Sequence, residues 1–101
     1  MAAPAKPAPN PADFFAALGN PLRWEMVKMM AGGKAVSASD VAEALGRNFD
    51  GVSKHLKVLL EAGVVEMSLG EDRRFWMYSI PASVRRADGV LDYGFAVIRV
   101  G

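Results

Sequence analysis

Apolar residues follow two periods along this chain, and the change of period divides it. From residue 14 to residue 60 they recur at three- and four-residue intervals, the spacing of helices. Phe14, Phe15 and Leu18 predict a short helix over 13–18. Gly19-Asn-Pro21 closes it and opens the next, since Asn20 can cap and Pro21 lacks only an N–H that would be unpaired there. Leu22, Met26, Met29 and Met30 make the stripe of a helix over 21–31, with the methionines as core filling, and Gly32-Gly33 ends it. Ala35-Val36 predict a very short strand. Ser37-Ala-Ser-Asp40 is a capping signal ahead of Val41, Ala42 and Leu45, a helix that runs to Gly46. After the turn Gly46-Arg-Asn48, with Asn48 as cap, a helix over 50–62 carries Val52, Leu56, Leu59 and Leu60 on one side and ends before Gly63.

From residue 64 the period drops to two. Val65, Met67 and Leu69 alternate as a strand over 64–69, Gly70-Glu-Asp72 is a turn, and the aromatic run over 73–80 is the return strand, ended by Pro81. Trp76 and Tyr78, at strand spacing, read as packing residues. The segment 90–100 is apolar on both faces, with Tyr93, Phe95 and Val97 on one and Ala96, Ile98 and Val100 on the other. It predicts one more strand, with Gly94 at a bulge or close approach. The expected fold is mainly α with a β-hairpin wing (α+β): a winged helix-turn-helix with an extra C-terminal strand. Residues 1–11, where Pro4, Pro7, Pro9 and Pro11 block helix and sheet alike, are expected to be a flexible arm. Residues 12–81 form the domain and 82–101 a C-terminal extension.

Composition narrows the chemistry. With 101 residues there is room for a single core, and 51% apolar content suits a compact chain. No apolar run approaches the roughly 18 residues of a membrane span, and the Ala/Pro-rich start lacks the apolar stretch of a secretory signal. The absence of cysteine excludes disulfides and thiolate metal sites, and a cytoplasmic location is expected. A single histidine, His55, supplies neither a metal site nor a nucleophile–base pair, so no enzyme, metal or cofactor is expected. The net charge of +1 excludes an indiscriminate polycation. Basic residues nonetheless gather at Arg47, Lys54 and Lys57, at Arg73 and Arg74, and at Arg85 and Arg86, with Glu25, Asp40, Glu43, Glu61 and Glu66 between the groups.

Two short helices on a tight turn, followed by a hairpin, suit duplex DNA. The major groove, about 12 Å wide, admits one helix, and the preceding helix braces it. Once the buried positions of the 50–62 helix are set aside, Asp50, Gly51, Ser53, Lys54 and Lys57 face a partner: small, polar and basic, with Glu61 pairing only with Lys57. A winged-helix module for protein interaction without DNA contact is the alternative. It calls for an apolar or acidic face, which Lys54 and Lys57 oppose.

Four segments carry a family resemblance: Ala17-Leu-Gly-Asn-Pro-Leu-Arg23, Ser39-Asp-Val-Ala-Glu-Ala-Leu45, Val52-Ser-Lys-His-Leu-Lys-Val-Leu-Leu-Glu-Ala-Gly-Val-Val65, and Arg73 with Tyr78. In this order they resemble the ArsR-type (ArsR/SmtB) winged-helix repressors over about residues 14–80. The resemblance implies a homodimer that binds an inverted repeat in a promoter and is released by some signal. It implies that Ser53, Lys54, His55 and Lys57 belong to the reading helix and Arg73 to the wing, and that Ser37 and Ser39 contact phosphate near a helix N-terminus. Arg47, Asn48, Asp50, Gly51 and Arg74 complete the candidate DNA-binding set. Arg23 matches a family arginine and reads as structural. Two departures stand out. Where metal-sensing members carry a cysteine pair, this chain has Asp40-Val-Ala-Glu43, and where many members end in a long dimerising helix it has the apolar segment 91–100. That segment is expected to hold the dimer in the helix's place.

Overall fold

The computed structural model describes residues 10–100, so most of the expected arm lies outside the described residues. Four helices come first: α1 (Pro11–Leu18), α2 (Pro21–Met30), α3 (Ala38–Leu45) and α4 (Phe49–Glu61). The wing follows, β1 (Glu66–Leu69) and β2 (Trp76–Ser79), then two 3₁₀ turns (Ala82–Val84 and Ala87–Gly89), and a second hairpin, β3 (Val90–Asp92) and β4 (Val97–Arg99).

Each helix starts where its cap stands. Asn10 and Asn20 hold α1 and α2 in the same way, each side chain accepting from two backbone amides with proline in the first turn. α1 therefore begins at Pro11, two residues before the expected start. Ser37 and Asp40 form a reciprocal capping box on α3, which Gly46 closes in the left-handed conformation (φ 62°) that glycine adopts without steric cost. Asn48 Oδ1 accepts from the Gly51 amide at 3.0 Å and starts α4.

The core runs through all four helices: Phe14, Met26, Val27, Met30, Val41, Val52, Leu56 and Leu59 are fully or almost fully buried, with Val64, Ile80 and Leu91 closing it from the strand side. Phe15, expected inside, is exposed at 52%; the stripe of α1 is carried by Phe14 and Ala17 instead. The short strand at Val36 is a single antiparallel bridge to Tyr78, with Val36 N donating to Tyr78 O at 2.9 Å and Tyr78 N to Val36 O at 2.7 Å.

The wing pairs Glu66 with Ser79, Met67 with Tyr78, Ser68 with Met77 and Leu69 with Trp76. It is shorter than the alternation predicts. Val64 and Val65 are both buried against the end of α4, so the strand starts at Glu66, and residues 70–75 all belong to the tip. Trp76, expected to pack, is 52% exposed.

The C-terminal segment corrects the expected single strand. It folds back on itself, pairing Val90 with Arg99, Leu91 with Ile98 and Asp92 with Val97. Gly94, at φ 88°, is the first residue of a two-residue loop rather than a bulge; a tight hairpin needs a positive φ there. The hairpin is anchored inward. Leu91 is fully buried, Tyr93 packs against Phe14 with centroids 4.6 Å apart and ring planes inclined at 59°, and its hydroxyl donates to Val64 O at 2.7 Å. Burial pushes the Tyr93 phenol well above its ordinary pKa of 10.0, so this donor stays protonated.

Candidate nucleic-acid interface

Helix α4 presents its buried stripe, Val52, Leu56 and Leu59, to the core and leaves Phe49, Asp50, Lys54 and Lys57 exposed, with Ser53 half-buried on the wing side. With 3.6 residues per turn these five make one continuous face from the first turn onward. Lys54 takes part in no ion pair among the described residues. Lys57 stands 3.8 Å from Glu61 in an exposed pair, as the four-residue spacing predicts. Gly51 also points outward. A Cβ there would meet only Asn48 Oδ1 at 4.0 Å, so nothing inside the domain requires glycine, which costs a helix about 1 kcal/mol relative to alanine. The missing side chain leaves backbone open to approach from outside.

One flank of α4 meets the wing. Ser37, Ser39, Ser53, Phe49 and Arg74 share a cleft of about 310 Å³ there with Trp76 and Tyr78. Ser39 is exposed in the first turn of α3, whereas Ser37 is buried and its Oγ accepts from the Asp40 amide at 3.1 Å. The Ser37 backbone amide donates in return to Asp40 Oδ2 at 3.0 Å, and this bond foremost holds the Asp40 carboxyl below its ordinary pKa. At the wing tip Arg74 and Asp72 form a bidentate pair, Nη2 to Oδ2 at 2.7 Å and Nε to Oδ1 at 3.0 Å, which lowers the Asp72 pKa. The Arg74 guanidinium is thus already engaged, while Arg73, beside it and exposed, has no ion-pair partner among the described residues.

The other flank meets α1 and α2. Arg23 Nε donates to Ala17 O at 2.7 Å, and its Nη1 lies 3.1 Å from His55 Nδ1. A guanidinium only donates, so Nδ1 accepts and the neutral imidazole carries its proton on Nε2. Burial first, and the Arg23 charge second, hold His55 below its ordinary pKa of 6.5. His55 and Arg47 border a second cleft beside Asn20 and Glu25. The candidate residues therefore fall into four places: the wing-side cleft, the wing tip with Arg73, the exposed α4 face, and the Arg47–His55 flank. Asn48 and Ser37 are occupied as helix caps.

The aromatic rim of the cleft, Phe49, Phe75 and Trp76, was not anticipated. Phe49 lies one residue ahead of the expected helix and, in the structure, at the angular edge of the buried stripe of α4, where periodicity does not separate core from surface; it is 53% exposed. Among the described residues no group of three or more His, Asp or Glu side chains is placed to hold a metal.

A bracing helix (α3), a second helix whose exposed face carries Lys54 and Lys57 (α4), and a hairpin beside them define a winged helix-turn-helix fold. The chain belongs to the HVO_A0114 family, whose model matches residues 19–79. Among solved structures it resembles HlyU from Vibrio cholerae (TM-score 0.63, 19% identity, 72% of this chain and 76% of HlyU). It also resembles the homodimeric winged helix-turn-helix DNA-binding domain of Mb0332 from Mycobacterium bovis, a possible ArsR-family transcriptional regulator (TM-score 0.63, 26% identity, 71% of this chain and 64% of that one). A third is the transcriptional repressor BigR from Xylella fastidiosa (TM-score 0.60, 24% identity, 71% of this chain and 70% of BigR). HlyU and BigR, at these identities, support the fold alone. No curated protein matches by sequence.

Proposed function

We propose that this protein is a transcriptional repressor that binds duplex DNA sequence-specifically as a homodimer, reading an inverted repeat with α4 and gripping the backbone with the wing. The observation that carries this reading is the α4 face. Lys54 is exposed and free of ion pairs among the described residues, and Gly51 is open for no internal reason. A donor of this kind serves guanine O6 and N7, and Ser39, Ser53, Arg47, Arg73 and the Nε2–H of His55 suit phosphate oxygens or base edges. The DNA-binding, homodimeric character of Mb0332 supports the same assignment. No catalytic step is assigned to any residue.

The dimer is assigned to the side of α1 and the C-terminal hairpin. Phe15 and Phe95 are both exposed, their ring centroids 6.4 Å apart and flanking the buried Phe14, and Val97 is 62% exposed on the adjacent strand. A second subunit would cover this patch, and the two reading helices would then address half-sites about 34–36 Å apart or a multiple of that.

A protein-interaction module is the second reading, favoured by the exposed Phe49, Phe75 and Trp76. Selection of bound duplexes from a random pool, with affinity measured at two salt concentrations, separates the two. The repressor reading predicts a palindromic consensus and an affinity that falls steeply with salt. No enrichment and no salt-dependent binding would leave the interaction module.

A further inference from the structure

Phe49 opens the reading face of α4 and is 53% exposed, although it has no polar group to satisfy in water. The exposed positions 49, 50, 54 and 57, with 53 between them, form one face, and the N-terminal residues of such a helix reach furthest into the groove. Trp76 (52% exposed) and Phe75 (43% exposed) line the same cleft from the wing, together with Ser53 and Arg74. The Arg74 guanidinium lies 5.7 Å from the Phe75 ring centre and is tied to Asp72 within the wing tip.

A phenyl ring can neither donate nor accept a conventional hydrogen bond, so at a major-groove edge it discriminates only by apolar contact. Among the edges of the four base pairs there, the one apolar group is the C5-methyl of thymine. We infer that Phe49 is a specificity-determining residue that selects a thymine methyl in each half-site, with Trp76 and Phe75 walling the contact from water on the wing side. The inference rests on the duplex-reading proposal. It explains why a large apolar side chain stands in the open beside Lys54, a residue suited to hydrogen-bonded readout.

Deoxyuridine in place of thymidine removes that methyl and leaves every hydrogen-bonding group of the pair unchanged, which makes a clean test. Duplexes selected by the wild-type protein are resynthesised with deoxyuridine replacing each thymidine in turn and titrated with wild type and with Phe49→Ser. The expected result is one thymidine per half-site whose replacement weakens wild-type binding on the order of fourfold, the value of one apolar carbon removed from water. Phe49→Ser, its helix content checked by circular dichroism, should bind the thymidine and deoxyuridine duplexes equally at that position. If selected duplexes show no deoxyuridine penalty at any position, or if Phe49→Ser keeps the penalty, the inference is overturned while duplex recognition stands. If the wild-type protein enriches no duplex, the repressor reading fails and the inference fails with it.

Discussion

The two hairpins of this domain are built from similar residues and do opposite things. The C-terminal hairpin turns on a two-residue loop, drives Leu91 and Val100 into the core, and sets Tyr93 against it, where Tyr93 both packs on Phe14 and donates to the Val64 carbonyl. The wing joins the core through the Val36–Tyr78 bridge at its base and leaves Met67, Leu69, Phe75 and Trp76 exposed, its tip ordered by its own Asp72–Arg74 pair. Apolar content alone does not distinguish a structural hairpin from one built to meet a partner. What distinguishes them is where the anchoring bonds go.

Mutations at matched positions sharpen that contrast. Leu91→Ala should cost about 2–5 kcal/mol in denaturant unfolding, because a fully buried leucine leaves a cavity behind. Leu69→Ala, at 43% exposure in the wing, should stay within about 0.5 kcal/mol. Equal losses at the two sites would erase the distinction.

A smaller and more selective effect is expected at the outer surface of the C-terminal hairpin. The double change Phe15→Ser, Phe95→Ser touches exposed rings, so it should leave the fold intact while shifting sedimentation from dimer to monomer and weakening operator binding. A double variant that remains dimeric would move the dimer contact elsewhere and reduce this hairpin to its anchoring role.

The smallest effect expected is a pH dependence centred on the Arg23–His55 link between α2 and α4. His55 has a folded-state pKa below its ordinary 6.5, so below that pH the unfolded chain binds more protons than the folded one. Stability contributed by neutral His55 is fully present above about 6.5 and is lost as pH falls towards the folded-state value. Protonation also removes the lone pair that accepts from Arg23. Wild type should therefore lose stability on acidification from pH 7 to pH 5 by more than His55→Gln does. Parallel curves for the two proteins would remove His55 from the account.

Much of the helical half was legible before the structure because its signals are local. Asn20-Pro21, the Ser37–Asp40 box, Gly46 and Asn48 each act within a few residues, and each stands where the helix boundaries fall. What was not legible depends on partners distant in sequence. The Arg23–His55 contact spans 32 residues, and the Tyr93–Val64 bond that pins the last hairpin spans 29. Phe15, Phe49 and Trp76 lie at the edges of their elements' apolar faces, where periodicity cannot tell a buried flank from an open one. The C-terminal segment misled for another reason: a lone glycine in an alternating apolar run is compatible with a bulge and with a turn, and here β3 pairs back on β4.

The division of labour between α4 and the wing is tested most directly by comparing selected duplex pools for wild type, Lys54→Ala and Arg73→Ala. The account predicts that Lys54→Ala flattens base preference at particular positions and costs about 1–3 kcal/mol on the best site. It predicts that Arg73→Ala weakens all sequences evenly and lowers the salt slope by about one. A Lys54→Ala pool identical to wild type, or an Arg73→Ala pool with a new preferred sequence, would contradict it.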